Sequence, residues 1–161
     1  MEVTKPREAA PGTSGPWTAG PQSLSYHRLL VFLLRIGGVV TCAAFLAIFL
    51  PVEWMAALHQ WLGLGEFPRA PVVDYLARSI AALYGFHGVL LFIVARDPTR
   101  HRPIVRFIGV MNIVFGILLT GIDVNAGMPL LWTLAEGPPI VGFGVLVLFL
   151  SRSLGEPELR V

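Results

Sequence analysis

Four apolar stretches without a single Asp, Glu, Lys or Arg, residues 36–52, 79–95, 107–122 and 137–151, constrain this chain more than anything else in it. At 15 to 17 residues each, they fall slightly short of a hydrocarbon core of about 30 Å at roughly 1.5 Å per helical residue. Flanking charged side chains can lie near the interface and snorkel, which extends the spans to about 29–51, 72–95, 103–122 and 130–150. Lipid offers backbone groups no partner, so each span must be a helix. The predicted fold is an all-α membrane protein, a four-transmembrane-helix antiparallel bundle.

The charges that fence these stretches are sorted by side. Arg35, Arg96, Arg106 and Arg152 bound one end, whereas Glu53, Arg78, Asp123 and Glu136 bound the other. Ten of the twelve Lys and Arg residues fall in the N-terminal segment, the middle loop and the C-terminal segment, so the positive-inside rule places both termini in the cytoplasm. Only Arg69 and Arg78 lie outside, against Glu53, Glu66, Asp74, Asp123 and Glu136. The net charge of +2 therefore reflects topology, and with no basic face interleaved with aromatics, nucleic acid is excluded as a partner. A 55% hydrophobic composition and a mean hydropathy of +0.70 leave a polytopic membrane protein as the class. Cys42 is the sole cysteine and sits mid-span, which removes any disulfide framework or thiolate metal site. The run Val39, Val40, Thr41, Cys42 is a poor lipobox in a long apolar stretch, so the first span reads as a permanent anchor.

Residues 1–24 hold Pro6, Pro11, Pro16 and Pro21 with three glycines and no apolar period, the composition of a disordered cytoplasmic tail. The transmembrane domain then covers 25–152, and 153–161 form a second cytoplasmic tail. Between the first two spans, Trp54, Leu58 and Trp61 share one face of a short helix at 52–62, opposite Glu53, His59 and Gln60. This helix is expected to lie in the outer interface. The basic turn 97–103 is short enough to make the second and third spans antiparallel neighbours. The chain also matches itself weakly: 35–39 aligns with 106–110 at an offset of 71, and Gly88, Val89, Leu90 and Arg96 align with Gly144, Val145, Leu146 and Arg152 at an offset of 56. Both matches keep direction, as two repeated helical hairpins would.

Polar residues within the spans are the candidates for function or for interhelical bonding. Arg78, one turn after Asp74 and inside the second span, needs a partner in low dielectric. Glu136 lies at similar depth, with Asp123 and Glu53 nearer the surface, so an Arg78–Glu136 ion pair supported by Asp74 is expected. Pro138 and Pro139 free the carbonyls of Leu134 and Ala135. Either the fourth helix kinks there, or a short outer piece precedes a helix that starts at the prolines. Freed carbonyls beside Arg78 and Glu136, roofed by Trp54, Trp61 and Trp132, would make an outward-facing polar pocket. Deeper in the bilayer, His87 and Asn112 sit at matching depth and are expected to bond each other, with Tyr84 one turn from His87.

No second intramembrane histidine accompanies His87 for a haem, no ligand spacing fits zinc, and no phosphate loop, nucleophile elbow or zincin motif occurs. No cofactor or metal is expected, and a soluble-type enzyme is ruled out. The stretches at residues 61–68, 75–84, 121–123 and 134–139 resemble those of uncharacterised small four-span bacterial inner-membrane proteins, and more loosely the DoxX-like membrane proteins, over residues 29–152. The resemblance implies a bacterial inner-membrane location, and similarity to the DoxX-like group implies a link to quinone or redox partners. Three roles follow as expectations. The leading one is a non-catalytic bundle whose outer cluster of Arg78, Glu136, Asp123, Asp74 and Glu53 holds the fold and binds a small ligand, lipid headgroup or membrane-protein partner. The others are a redox accessory subunit using Tyr84, His87 and Asn112 on quinone, and a small transporter acting as a homo-oligomer.

Overall fold

The apolar stretches fold as the lipid argument requires. A computed structural model describes residues 21–154, and it contains the helices α1 (Pro21–Cys42), α2 (Phe45–Phe49), α3 (Val52–Trp61), α4 (Pro71–Val94), α5 (Arg102–Ala126) and α6 (Leu130–Ser151). Four helical spans, Leu24–Phe49, Pro71–Val94, Arg102–Ala126 and Leu130–Ser151, are long and apolar enough to cross a membrane. The shortest, at 22 residues, reaches about 33 Å, enough for the hydrocarbon core. The architecture is an all-α four-helix membrane bundle. α1 starts at Pro21, so its first turn takes in residues expected to be tail. The rest of that tail, 1–20, and most of the C-terminal one, 155–161, lie outside the described residues.

The first span is interrupted, which its sequence did not announce. Thr41 Oγ1 bonds back to the Gly37 carbonyl at 2.8 Å, and the backbone then tightens, Ala44 N reaching Thr41 O and Leu46 N reaching Ala43 O. A hydroxyl competing for an i−4 carbonyl bends a helix at such a point. Pro51 ends α2 through an extended Leu50 (ψ 132°) and starts α3. α3 is the short helix expected at 52–62, and it buries none of its residues. By contrast α6 runs unbroken through Pro138 and Pro139. The alternative of a separate outer piece does not form, and Glu136 lies within a helix and not at its N-terminus.

The hydrophobic effect holds such helices in the bilayer but does little to choose their partners, since lipid is as apolar as leucine. Close approach over glycine decides the pairing. A Cβ placed on Gly38 would sit 3.2 Å from the Gly88 carbonyl, and one on Gly109 would sit 3.2 Å from the Gly144 carbonyl. The offsets of 71 and 56 convert the first crossing into the second. Neighbouring contacts obey the same conversion: Gly88 faces the backbone of Cys42, and Gly144 faces that of Ile113; Gly38 faces Phe92, and Gly109 faces Leu148. Thr41 and Asn112, also equivalent, each bond the carbonyl four residues back, at 2.8 Å in both cases. The bundle is two like hairpins, α1 with α4 and α5 with α6, which share one glycine crossing, and the second hairpin adds another where Gly116 meets Gly137.

The hairpins meet mainly through α1 and α6, where the bare surface of Gly37 receives the Phe143 ring. α4 and α5 are joined by the expected short turn, closed by Asp97 accepting from the Arg100 amide at 3.0 Å, yet they are not a packed pair. They remain neighbours through side chains, as where the Tyr84 and Phe115 rings meet, while their close backbone contacts are made with α1 and α6. A short turn ties only the adjoining helix ends, and the small-residue faces of α4 and α5 are already committed to α1 and α6. The buried apolar cluster that unites all four spans, including Leu34, Leu91, Val94, Ile108, Val147 and Leu150, lies wholly toward the end bearing Arg35, Arg96, Arg106 and Arg152. We call this the arginine end; the opposite one, with Asp74, Asp123 and Glu136, is the acidic end.

Candidate functional site

At the acidic end the charged residues separate into two groups of different character. In the first, Arg78 Nε donates to Asp74 Oδ1 at 2.9 Å, one helical turn away. Its terminal nitrogens donate to the carbonyls of Ile48 and Leu50, the latter at 3.1 Å. These carbonyls are exposed where α2 ends and Pro51 supplies no N–H. The guanidinium fork thus satisfies a broken helix end, a task that suits its planar donor set. The supporting role expected for Asp74 is present, but the Arg78–Glu136 ion pair is not: among the described residues, Arg78 pairs with Asp74 only. Depth and charge favoured Glu136, whereas the freed carbonyls of α2 lie on the hairpin to which α4 itself belongs.

The second group is left without a cation. Asp123 sits near the end of α5, where Gly127 adopts a left-handed φ of 68° and the Met128 amide returns to the Asp123 carbonyl at 3.0 Å. The Asp123 backbone is thereby used in the cap while its side chain turns inward. That residue is only 5% exposed, and its Oδ2 has no hydrogen-bond partner. Glu136 on α6 is half-buried, lies within electrostatic range of Asp123 and of Tyr84 on α4, and has the Trp132 indole within hydrogen-bonding reach one turn earlier. Trp132, Ala135 and Glu136 line a shallow cleft of about 200 Å³. Trp54 and Trp61, expected to roof this region, stand 67% and 80% exposed on α3 and do not line the cleft. Glu53 is likewise exposed on α3.

The mid-bilayer cluster also departs from expectation. Asn112 Nδ2 donates to the Ile108 carbonyl at 2.8 Å within its own helix, and the His87–Asn112 bond does not form. Tyr84 reaches across to α5, its ring 6.3 Å from that of Phe115 and steeply inclined to it. His87 is half-buried on α4, one turn from Tyr84. Sequence reasoning missed two threonines beside the acid pair. Thr133 is buried on α6, and Thr120 on α5 bonds the Gly116 carbonyl at 2.7 Å where Gly137 crosses. The hairpin register, counted from the turn at Gly127, was the signal that would have placed them there.

Among the described residues no group of three or more His, Cys, Asp or Glu is placed to hold a metal ion. No family model, no curated protein and no solved structure matches this chain. What the arrangement can do must be read from its own chemistry: one end of the bundle holds a satisfied arginine clamp and, on the other hairpin, a buried Asp123 and a shallow cleft lined by Glu136 and Trp132.

Proposed function

We propose that this chain is a non-catalytic, multi-pass protein of the bacterial inner membrane, akin to the DoxX-like group, that binds a small ligand in an outward-facing cleft at its acidic end. The observation that carries this reading is the cleft that Trp132, Ala135 and Glu136 line at that end, together with the buried Asp123, whose Oδ2 has no hydrogen-bond partner. A buried polar group without a partner costs about 1–3 kcal/mol, more when charged, and such a cost is retained where something else completes the site. Arg78, expected to share that role, is already satisfied within its hairpin.

Ala135 is exposed at the cleft, so Ala135→Trp should fill it without disturbing the helix interface. Mass spectrometry of material co-purified from native membranes is expected to find a small molecule with the wild-type protein that is lost from this variant. The same species recovered equally from both would overturn the reading. A co-purified quinone that survives Ala135→Trp would favour the second reading, a redox accessory role, for which the half-buried His87 one turn from Tyr84, whose ring meets that of Phe115 on α5, is the supporting observation.

The orientation has its own test. In a Cys42→Ser background, Gln60→Cys is expected to react with an impermeant maleimide on intact cells. Arg100→Cys should react only after permeabilisation, because the positive-inside bias places its loop in the cytoplasm. The reverse pattern would invert the topology and turn the cleft inward.

A further inference from the structure

We infer that each hairpin carries, at the arginine end, a pair of arginines that binds the phosphate of an anionic phospholipid: Arg35 with Arg96 across α1 and α4, and Arg106 with Arg152 across α5 and α6. The inference is independent of the acidic-end cleft and adds two sites at the opposite end of the bundle.

Register brings each pair together. A Cβ on Gly38 would meet the Phe92 ring at 3.1 Å, and one on Gly109 would meet Leu148 at 2.7 Å. Arg35 precedes Gly38 by three residues and Arg96 follows Phe92 by four, one turn along the same faces. Because α1 and α4 run antiparallel, both steps lead toward the arginine end, by about 4.5 Å and about 6 Å at roughly 1.5 Å per residue. The same steps taken from Gly109 and Leu148 reach Arg106 and Arg152. All four arginines are exposed. The local backbone repeats as well, the amides of Arg96 and Arg152 each reaching the carbonyl three residues back at 3.3 Å.

The protein does not neutralise these pairs. Among the described residues no ion pair engages them, and the one acid at this end, Asp97, accepts the Arg100 amide within the connecting turn. Arg28, Arg100 and Arg102 add further positive charge, while residues 1–20 and 155–161 bring Lys5, Arg7 and Arg160 against Glu2, Glu8, Glu156 and Glu158. Over the full sequence this end holds ten Lys and Arg against five acids, so a surplus of cations remains. Favourable charge at a helix C-terminus accounts for Arg96 and Arg152. Arg35 stands inside α1 and Arg106 near the start of α5, where that gain is absent. The positive-inside bias asks only for basic segments, and a matched pair across each seam is a stricter arrangement.

The surroundings decide which anion. Ile36 and Ile93 beside the first pair, and their equivalents Phe107 and Phe149 beside the second, are 47–62% exposed, so both pairs border lipid-facing surface. An anion held at this level must bring apolar chains with it, as a phospholipid does. Guanidinium forks take phosphate oxygens bidentately, and basic sites between membrane helices recruit anionic headgroups. The ammonium of a zwitterionic headgroup would meet no described carboxylate in either seam.

The test is native mass spectrometry of the full chain in nonionic micelles, titrated at one ionic strength with dioleoylphosphatidylglycerol and, separately, with dioleoylphosphatidylcholine. Two phosphatidylglycerol molecules are expected to bind, about tenfold or more tighter than phosphatidylcholine. Arg35→Gln with Arg96→Gln should remove one of them, and Arg106→Gln with Arg152→Gln the other. Arg28→Gln with Arg100→Gln takes away the same charge outside the seams and should leave both. These six side chains are exposed, so the variants should fold, and unfolding midpoints verify it. Arg35→Lys with Arg96→Lys keeps the charge without the fork and should weaken that site several-fold. Glycerol phosphate, the headgroup without its chains, should not displace the lipid at millimolar concentration. Equal affinity for the two lipids, or as much lipid lost from Arg28→Gln with Arg100→Gln as from the seam variants, overturns the inference. Displacement by glycerol phosphate overturns the lipid as the occupant.

Discussion

Gly144→Ala is expected to destabilise the second hairpin by about 2–3 kcal/mol, the range for overpacking a close-packed contact, and to lower the folded fraction in a denaturation series in mixed micelles. The added Cβ would lie 2.6 Å from the Gly109 carbonyl oxygen and 2.9 Å from the Ile113 amide nitrogen. Both are backbone atoms of α5, so no side chain can rotate aside, and the helices must move apart. Gly142, two residues earlier on the same helix, meets nothing within 4 Å. Its replacement by alanine should stabilise by roughly 0.5–1 kcal/mol through helix propensity alone. Gly88→Ala is the matched experiment on the first hairpin, where the Cβ would meet the Cys42 amide at 2.7 Å. Equal tolerance of alanine at 142 and 144 would remove the glycine crossing as the basis of the pairing.

Arg78→Ala is expected to cost about 3 kcal/mol, since hydrogen bonds to a charged group are worth roughly 1.5–3 kcal/mol each when their partners are left buried, and this side chain makes three, partly exposed to solvent. The loss should be concentrated where α2 meets α3, so limited proteolysis should begin to cut near residues 43–51. Arg78→Lys restores charge but not the fork, and it should recover less than half of the loss. Asp74→Asn leaves both carbonyl bonds in place and removes a pair whose side chains are 30% and 37% exposed, which predicts a loss of about 1 kcal/mol or less. Midpoints that rank Asp74→Asn as more damaging than Arg78→Ala would show that the ion pair, and not the clamp on α2, carries the stability.

The spans were legible because lipid leaves a helix no alternative: the charge-free stretches at 107–122 and 137–151 lie within single helices, and that at 79–95 does so up to the cap at Ala95. Less legible were the features that depend on which atoms compete for a donor. Arg78 was expected to seek Glu136 by depth and charge, but the nearer claim came from the Ile48 and Leu50 carbonyls, visible only once the first span breaks after Thr41. Pro138 and Pro139 looked like a break and lie within a helix, whereas Pro51, with an extended residue before it, marks a real one. The short turn at Asp97 invited α4 and α5 to pack, while the glycines on each helix already faced another partner. The weak internal match proved more informative than either, because residues paired by offset are also paired in contact. Asp123 and Glu136 were legible as polar residues in spans, but their mutual proximity without a cation required coordinates.

Confining the shared apolar cluster to the arginine end gives the molecule a fulcrum. From it the two halves extend toward the acidic end like the jaws of a forceps, beyond the reach of the shared cluster, so changes in lateral pressure within the leaflet around that end act with the leverage of a full bilayer span. The acid pair and its cleft sit near the tips, where a small angular change produces the largest displacement.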